Sequence, residues 1–352
     1  LVAALKERAP DNEYIVVLKD EKASGRLSSF ILHPSSFGDN LAKVWYEQIG
    51  FGNACRRERA ALAHVPYFGS PLFPSPRTVV TIHDLIPMIV PAYRGSALVR
   101  AYTALAALSA RRADAIIADS ECSKRDIVRR LKIDAARVRV VYLAAAARYR
   151  PLDDATQIDA VRRKYALPEK YLLYLGGYDQ RKNVRVIVEA FARLPEFYRV
   201  GYRLALAGVN LGRMDSEFFP DPRRLARAAH LPDDALCCVG WVEEEDKPAL
   251  YAGAVVFLYP SLYEGFGLQP LEAMACGTPV LCANTSSLPE VAGDAAITLP
   301  PDDAPAWADA IRAVLTEDPR RAEMRERGIV QARKFSWARC AEETLSVYLN
   351  YA

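Results

Sequence analysis

The stretch "YEGFGLQPLEAMACGTPV" (263–280) carries two glutamates, Glu264 and Glu272, with seven residues between them. The apolar run before it, "VVFLYPS" (255–261), reads as a buried strand, and "LQPLEAMAC" (268–276) as the helix after the turn. Gly265 and Gly267 flank Phe266 and allow positive φ or close approach of a ligand to the backbone. Pro270 suits a first helical turn, where its missing N–H does no harm. The N–H groups of that first turn form an anion site. An anion alone would not want two carboxylates nearby. A ligand with a diphosphate and vicinal hydroxyls would: amides take phosphate oxygens and carboxylates accept from hydroxyls. That combination describes a nucleotide sugar.

Further residues could serve the same ligand. In "LGGYDQRKN" (175–183), Gly176-Gly177 makes a tight turn and Arg181 and Lys182 stand at the next helix start. Cations there oppose the helix dipole, so the pair is expected to meet an anion. The glycines do not form GxGxxG, which argues against a dinucleotide. In "TVVTIHDLIP" (78–87), His83 and Asp84 fall at the end of a buried strand. His83 is either structural, a donor to a sugar hydroxyl, or a group acting on the reacting centre. The basic segments "SKRDIVRRLK" (123–132), "RRER" (56–59) and Arg111-Arg112 are either solvated helix faces or contacts for anionic lipid. There is no P-loop, no GxSxG and no DxD after a strand; Asp302-Asp303 and Asp233-Asp234 read as helix starts. No metal site is therefore expected, and a leaving diphosphate would be stabilised by Lys, Arg and backbone N–H groups.

These residues need strands and helices to hold them. A chain of 352 residues suggests two domains. Strand candidates in the first half are "YIVVL" (14–18), "SSFIL" (28–32), "ALAHV" (61–65), "TVVTIHD" (78–84), "DAIIADS" (114–120) and "RVRVVYL" (137–143). Helices are expected over 96–113 and from Ser120, a good N-cap, to Leu131. The second half has strands at 171–177, 202–208, 236–240, 255–261, 279–284 and 296–300. It has helices at 183–194, 303–317, 319–334 and 337–349. The alternation predicts an α/β protein with mainly parallel sheets: two facing Rossmann-like domains, about 1–150 and 151–336, with a cleft between them and a linker near residue 150. The opening "LVAALKERAP" reads as the back half of an amphipathic helix and not as a signal peptide. Residues 1–150 hold 23 Lys+Arg against 14 Asp+Glu, a net of +9, while the remainder nets −6, which points to an anionic partner for the first half or simply to solvated faces. The seven cysteines show no zinc spacing and indicate a reducing cytoplasm. No apolar run reaches the roughly 18 residues of a membrane span.

The segment "PSLYEGFGLQPLEAMACGTPVLCANTSSLPEVAGDAA" (260–296) resembles the retaining glycosyltransferases of family 4, which have the GT-B fold. "VVTIHDLIP", "DAIIADSECSKRDIV", "RVRVVYL", "YLLYLGGYDQRKNVRVIVEAF" and "VGWVEEEDKPALYAGAVVFLYPS" follow in the family's order. The resemblance implies that Glu272 holds the donor ribose, Glu264 the donor sugar, and the amides of Gly265, Phe266, Gly267 and Leu268 the sugar and diphosphate. It places Lys182 on the diphosphate, His83 near the transferred sugar, and Gly240, Trp241 and Val242 around the base. It brings the last helix, 337–352, back onto the first domain. Two features depart from the family. Gly177 stands where many members have a phosphate-binding arginine, so Arg181 is expected to take that work. By the family's order Leu1 reads as part of the helix that follows the first strand and its glycine-rich loop, so that strand and loop are expected to be absent from this sequence. The implied activity is transfer of a hexose from a nucleoside diphosphate sugar, GDP-mannose ahead of a UDP-sugar, to a glycan or polyprenyl-linked acceptor. Configuration would be retained, with no metal, cofactor or nucleic acid involved. The site would be cytoplasmic, with room for peripheral contact with an anionic membrane. A hydrolysing nucleotide-sugar epimerase and a non-catalytic sugar-nucleotide binding subunit are the alternatives.

Overall fold

The computed structural model describes residues 1–15, 37–152, 154–208 and 216–351. It divides into two compact units, Leu1–Tyr142 with Ala338–Ala352, and Leu143–Trp337. The expected strand 28–32 lies outside the described residues, as does 14–18 from residue 16 onward; Tyr14 and Ile15 are in no strand.

In the first unit β1 (Leu62–Val65), β2 (Arg77–Ile82), β3 (Ala115–Ala118) and β4 (Val138–Val140) form a parallel sheet in that order. A parallel sheet is covered on both faces, so its central strands are near-continuous apolar runs. Accordingly β3 is buried along its whole length and β2 everywhere beyond Arg77. Val80, Ile82, Ile116 and Ala118 pack with Ile127 and Leu131 of the helix Glu121–Leu131. That helix opens as its sequence dictates, with Ser120 Oγ accepting from the Ser123 amide at 3.0 Å. The C-terminal helix Trp337–Leu349 ties into this unit: Tyr348 Oη lies 2.5 Å from His64 Nδ1, and His64 Nε2 lies 2.8 Å from Thr81 Oγ1. Strand β2 stops at Ile82, short of the expected end at Asp84. The Asp84 carboxylate accepts from the Ile86 amide at 2.9 Å, and this turn breaks the ladder.

In the second unit β5 (Tyr171–Leu175), β6 (Arg203–Ala207), β7 (Leu236–Gly240), β8 (Val256–Tyr259), β9 (Val280–Ala283) and β10 (Ile297–Leu299) form a parallel sheet. Their order is β10-β9-β8-β5-β6-β7. The chain leaves β5 for β6 and β7, then returns to the other flank of β5 with β8. The winding reverses between β5 and β8, and ligands of such sheets bind beyond the strand ends at that reversal. Fully buried tyrosines line the strands because their hydroxyls find partners: Tyr171 donates to the Leu250 carbonyl at 2.7 Å. One expectation needs correction here. Asp233-Asp234 sits in a turn before β7 and starts no helix; Asp234 pairs with Arg203 at 2.7 Å. The split between the units falls at Tyr142/Leu143, and Tyr149, on the second unit's side, packs edge-on to Tyr251 with ring centroids 6.0 Å apart. Among the described residues no helix is long and apolar enough to cross a membrane.

Candidate functional site

The β5/β8 reversal gathers the charged residues of the second unit. After β5, the Gly176 amide bonds to the Ala207 carbonyl at 2.9 Å, and the Tyr174 hydroxyl donates to the Gly177 carbonyl. A short turn, Gln180–Lys182, follows. Asn183 then staples it to neighbouring strand ends, donating to the carbonyls of Pro260 at 3.2 Å and Pro301 at 2.7 Å. This places Arg181 and Lys182 against Glu264, in the loop after β8. Four donors converge on Glu264 Oε1: Arg181 Nη1 at 2.7 Å, Lys182 Nζ at 2.7 Å, Tyr259 Oη at 3.0 Å and Ser261 Oγ at 2.5 Å. Lys182 also donates to Tyr259 Oη at 2.7 Å, and Asp179 lies 3.8 Å from Arg181 Nε. The anion that the two cations meet is therefore Glu264, and neither is a solvated surface charge.

Burial alone would push the Glu264 carboxyl up, but the Lys182 and Arg181 charges more than offset it and hold it below its ordinary range. Burial pulls Lys182 down, reinforced by the like charge of Arg181 and opposed by Glu264. The loop itself is fixed by a serine pair after β9. Ser286 Oγ accepts from the Glu264 amide at 2.8 Å, and Ser287 Oγ donates to the Phe266 carbonyl at 2.6 Å. Phe266 packs edge-on to Phe335 at 5.8 Å, and Gly267, at φ 111°, starts the helix Leu268–Ala275.

Glu272 lies one turn into that helix with a different set of partners. It is buried, and its Oε2 accepts from Tyr251 Oη at 3.0 Å. Burial raises its carboxyl to about 7, with the Tyr251 and Tyr149 hydroxyls and the Lys247 charge pulling the other way. Two acids close in sequence thus differ in state: one is locked as an anion by cations, the other is held near its titration point among phenols.

Gly240, Trp241 and Val242 lie at the end of β7, an edge strand separated from β5 by β6. Gly240 has φ 77° and its carbonyl accepts from the Gly208 amide at 2.7 Å; Val242 is buried, whereas Trp241 is 62% exposed. They do not join the ion cluster. In the first unit His83 stands just past β2, its Nδ1 2.6 Å from Asp119 Oδ2 and its Nε2 3.0 Å from the Pro66 carbonyl. Burial works against its charge, but the Asp119 hydrogen bond and charge outweigh it, so His83 titrates above its ordinary value.

Sequence reasoning missed Tyr259, Ser261, Tyr251, Tyr149, Ser286, Ser287 and Asp119. Only the polar run "NTSS" directly after β9 signalled Ser286 and Ser287; Tyr251, Tyr259 and Asp119 are embedded in apolar strand or helix contexts that read as core, and Tyr149 falls in an irregular stretch with no period to flag it. Among the described residues no group of three or more His, Cys, Asp and Glu side chains is arranged to hold a metal ion.

The family model "Glycosyl transferases group 1" matches residues 157–331, and "Glycosyltransferase Family 4" matches residues 5–145. The chain is 36% identical over 272 residues to O-antigen chain mannosyltransferase B of Escherichia coli, covering 77% of this chain and 70% of that one. It is 32% identical over 267 residues to the serotype-specific mannosyltransferase WbdA of Escherichia coli. That match covers 75% of this chain but 32% of WbdA, so the chain spans about a third of that relative. Its structure is similar to that of WaaG, a glycosyltransferase involved in lipopolysaccharide biosynthesis, with a TM-score of 0.69 at 18% identity, covering 91% of this chain and 85% of that one. The chain belongs to the glycosyl transferases group 1 family and is a glycosyltransferase with the GT-B fold.

Proposed function

We propose that this enzyme transfers a mannosyl residue from a nucleoside diphosphate donor, GDP-mannose, to a hydroxyl of a glycan or polyprenyl-linked acceptor. Configuration is retained and no metal takes part. The observation that carries the donor site is the Arg181–Lys182–Glu264 cluster at the winding reversal, beside the open helix end after Gly267. The mannosyl group rests on the two Escherichia coli relatives, both named mannosyltransferases.

In this reading the donor diphosphate competes with Glu264 for the two cations and takes further bonds from the amides of Gly265 to Leu268. Glu264, partly released, accepts from hydroxyls of the donor sugar. Glu272 accepts from the ribose, and Gly240 to Val242 border the base. His83 donates to an oxygen of the reacting substrates. The bond from C1 to the phosphate oxygen breaks while the acceptor oxygen bonds C1 on the same face. The acceptor's proton passes to the departing phosphate oxygen. No side chain is assigned as a nucleophile. The enzyme works in the cytoplasm, and its basic first half touches anionic lipid.

A thermal-shift panel of GDP, UDP, ADP and dTDP tests the donor. GDP at a hundredfold excess over its Kd should stabilise the protein by about 2.7 kcal/mol. Stabilisation by UDP alone would replace GDP-mannose with a UDP-sugar. Transfer should survive EDTA, and Lys182→Ala should lose most of it; the opposite results would remove the metal-free and phosphate assignments respectively. Turnover of UDP-N-acetylglucosamine without an acceptor would favour an epimerase instead.

A further inference from the structure

The first unit holds a second pair of ionisable side chains at strand ends. The β2–β3 register sets Ile82 beside Ala118, so the next residues, His83 and Asp119, emerge side by side. Asp119 Oδ2 lies 2.6 Å from His83 Nδ1, and the Pro66 carbonyl, just past β1, lies 3.0 Å from His83 Nε2. A carbonyl and an ionised carboxylate both accept, so both ring nitrogens must donate, and only the imidazolium does that. The Ser123 hydroxyl fixes the backbone of the same residue, donating to the His83 carbonyl at 3.0 Å.

Burial divides the pair unequally. Asp119 is 2% exposed, while the His83 side chain is 49% exposed. Among the described residues, Asp119 Oδ1 is buried without a hydrogen-bond partner. A buried carboxylate with one oxygen unsatisfied is a costly way to hold an imidazole, because a neutral amide would orient the ring as well. The negative charge itself is what an amide could not supply. Other ionisable groups around the pair do not replace it. Asp84 adjoins His83 in the chain and reinforces its charge. His64, from β1, is driven down to about 4 by burial and by the His83 charge, so it is neutral near pH 7. Cys340, from the C-terminal helix, faces Asp119, and burial lifts its thiol to about 11.

We propose that Asp119 is a positioning residue that presents His83 as a charged hydrogen-bond donor, whose Nε2–H exchanges the Pro66 carbonyl for a phosphate or sugar oxygen of the reacting substrates. This rests on the assignment of His83 made above, and it gives that residue a definite chemistry. His83 is a donor and not a general base, since neither ring nitrogen keeps a free lone pair.

Asp119→Asn is the test, because it keeps the shape and one acceptor while removing the charge. In the full chain with labelled histidine, His83, assigned through His83→Gln, should titrate above its ordinary value by NMR and fall to it or below in Asp119→Asn. Turnover is read as GDP release from GDP-mannose with methyl α-mannoside as acceptor. The variant should lose on the order of tenfold in kcat, with an unchanged KM for GDP-mannose. The alkaline limb of its pH profile should move to lower pH, and stabilisation by GDP should stay intact. An unmoved histidine titration, or a wild-type kcat and pH profile in Asp119→Asn, overturns the proposal. So does loss of GDP stabilisation in parallel with activity, which would mark a structural role only. Full turnover by His83→Gln overturns both this inference and the assignment beneath it. If the wild type turns over no sugar nucleotide, the proposed function fails, while the histidine titration still decides the dyad.

Discussion

Glu264 shows how one carboxylate can hold two cations in a nearly dry site. Arg181, Lys182 and Glu264 are all largely buried, so none of the three can shed its charge interactions to solvent. Glu264→Gln would leave the two cations facing each other, and we expect a loss of about 3 kcal/mol in urea denaturation. Lys182→Met leaves the Arg181–Glu264 pair and should cost clearly less. Glu272 makes a different prediction. Its carboxyl is raised to about 7 from 4.5, so between those values the folded state binds the extra proton and stability falls as pH rises. The fall amounts to about 3 kcal/mol for the ligand-free protein. Glu272→Gln should flatten that slope in denaturation measured from pH 5 to 8. If Glu272 accepts from the donor ribose, donor affinity should rise over the same window, because the ionised carboxylate is the better acceptor.

At the scale of elements, the site depends on strand ends that only glycine permits. Gly208 follows β6 at φ 133°, and a Cβ there would fall 1.8 Å from the Gly176 carbonyl oxygen, a backbone atom that cannot swing aside. Gly208→Ala should destabilise the protein by more than about 3 kcal/mol and displace the turn that carries Arg181 and Lys182. Gly201→Ala is the control: nothing lies within 4 Å of its added methyl, and it should be neutral or stabilising by about 0.5 kcal/mol. Differential scanning calorimetry reads both. The edge strands β7 and β10 are only partly buried, whereas the central strands β5, β6, β8 and β9 were legible because each is a largely apolar run bounded by glycine, proline or polar residues, the pattern a doubly covered parallel sheet imposes. The stretch Phe37–Arg57 was less so. Its π turn at Tyr46–Gly50 shifts the helical phase and buries Glu47, which accepts from Tyr102 Oη at 3.0 Å. A single 3.6-residue period cannot describe that.

At the scale of the molecule, His64 in the first unit and Glu272 in the second respond to acid with opposite sign. His64 is lowered from 6.5 to about 4, so the stability of the first unit that depends on its neutral form is lost as pH falls through that window. Over much of the same range Glu272 makes the second unit more stable. Glu47, also raised by burial, opposes His64 within the first unit, so the His64 part is read as the difference between wild type and His64→Gln. Hydrogen exchange at pH 7 and pH 5 should show a larger acid-induced rise in opening around β1 and the C-terminal helix in wild type than in His64→Gln, and an acid-induced slowing around Leu268–Ala275 that Glu272→Gln removes. The sequence by itself determined the α/β class, the twin sheets, and the cationic and glutamate motifs, because strand burial and glycine turns leave local patterns in a chain. It did not determine that Arg181 and Lys182 take Glu264 as their counter-ion, that Glu272 sits among Tyr251 and Tyr149, or that Asp119 charges His83. Those pairings join residues tens of positions apart. They follow from strand order and register, which only the folded sheet decides.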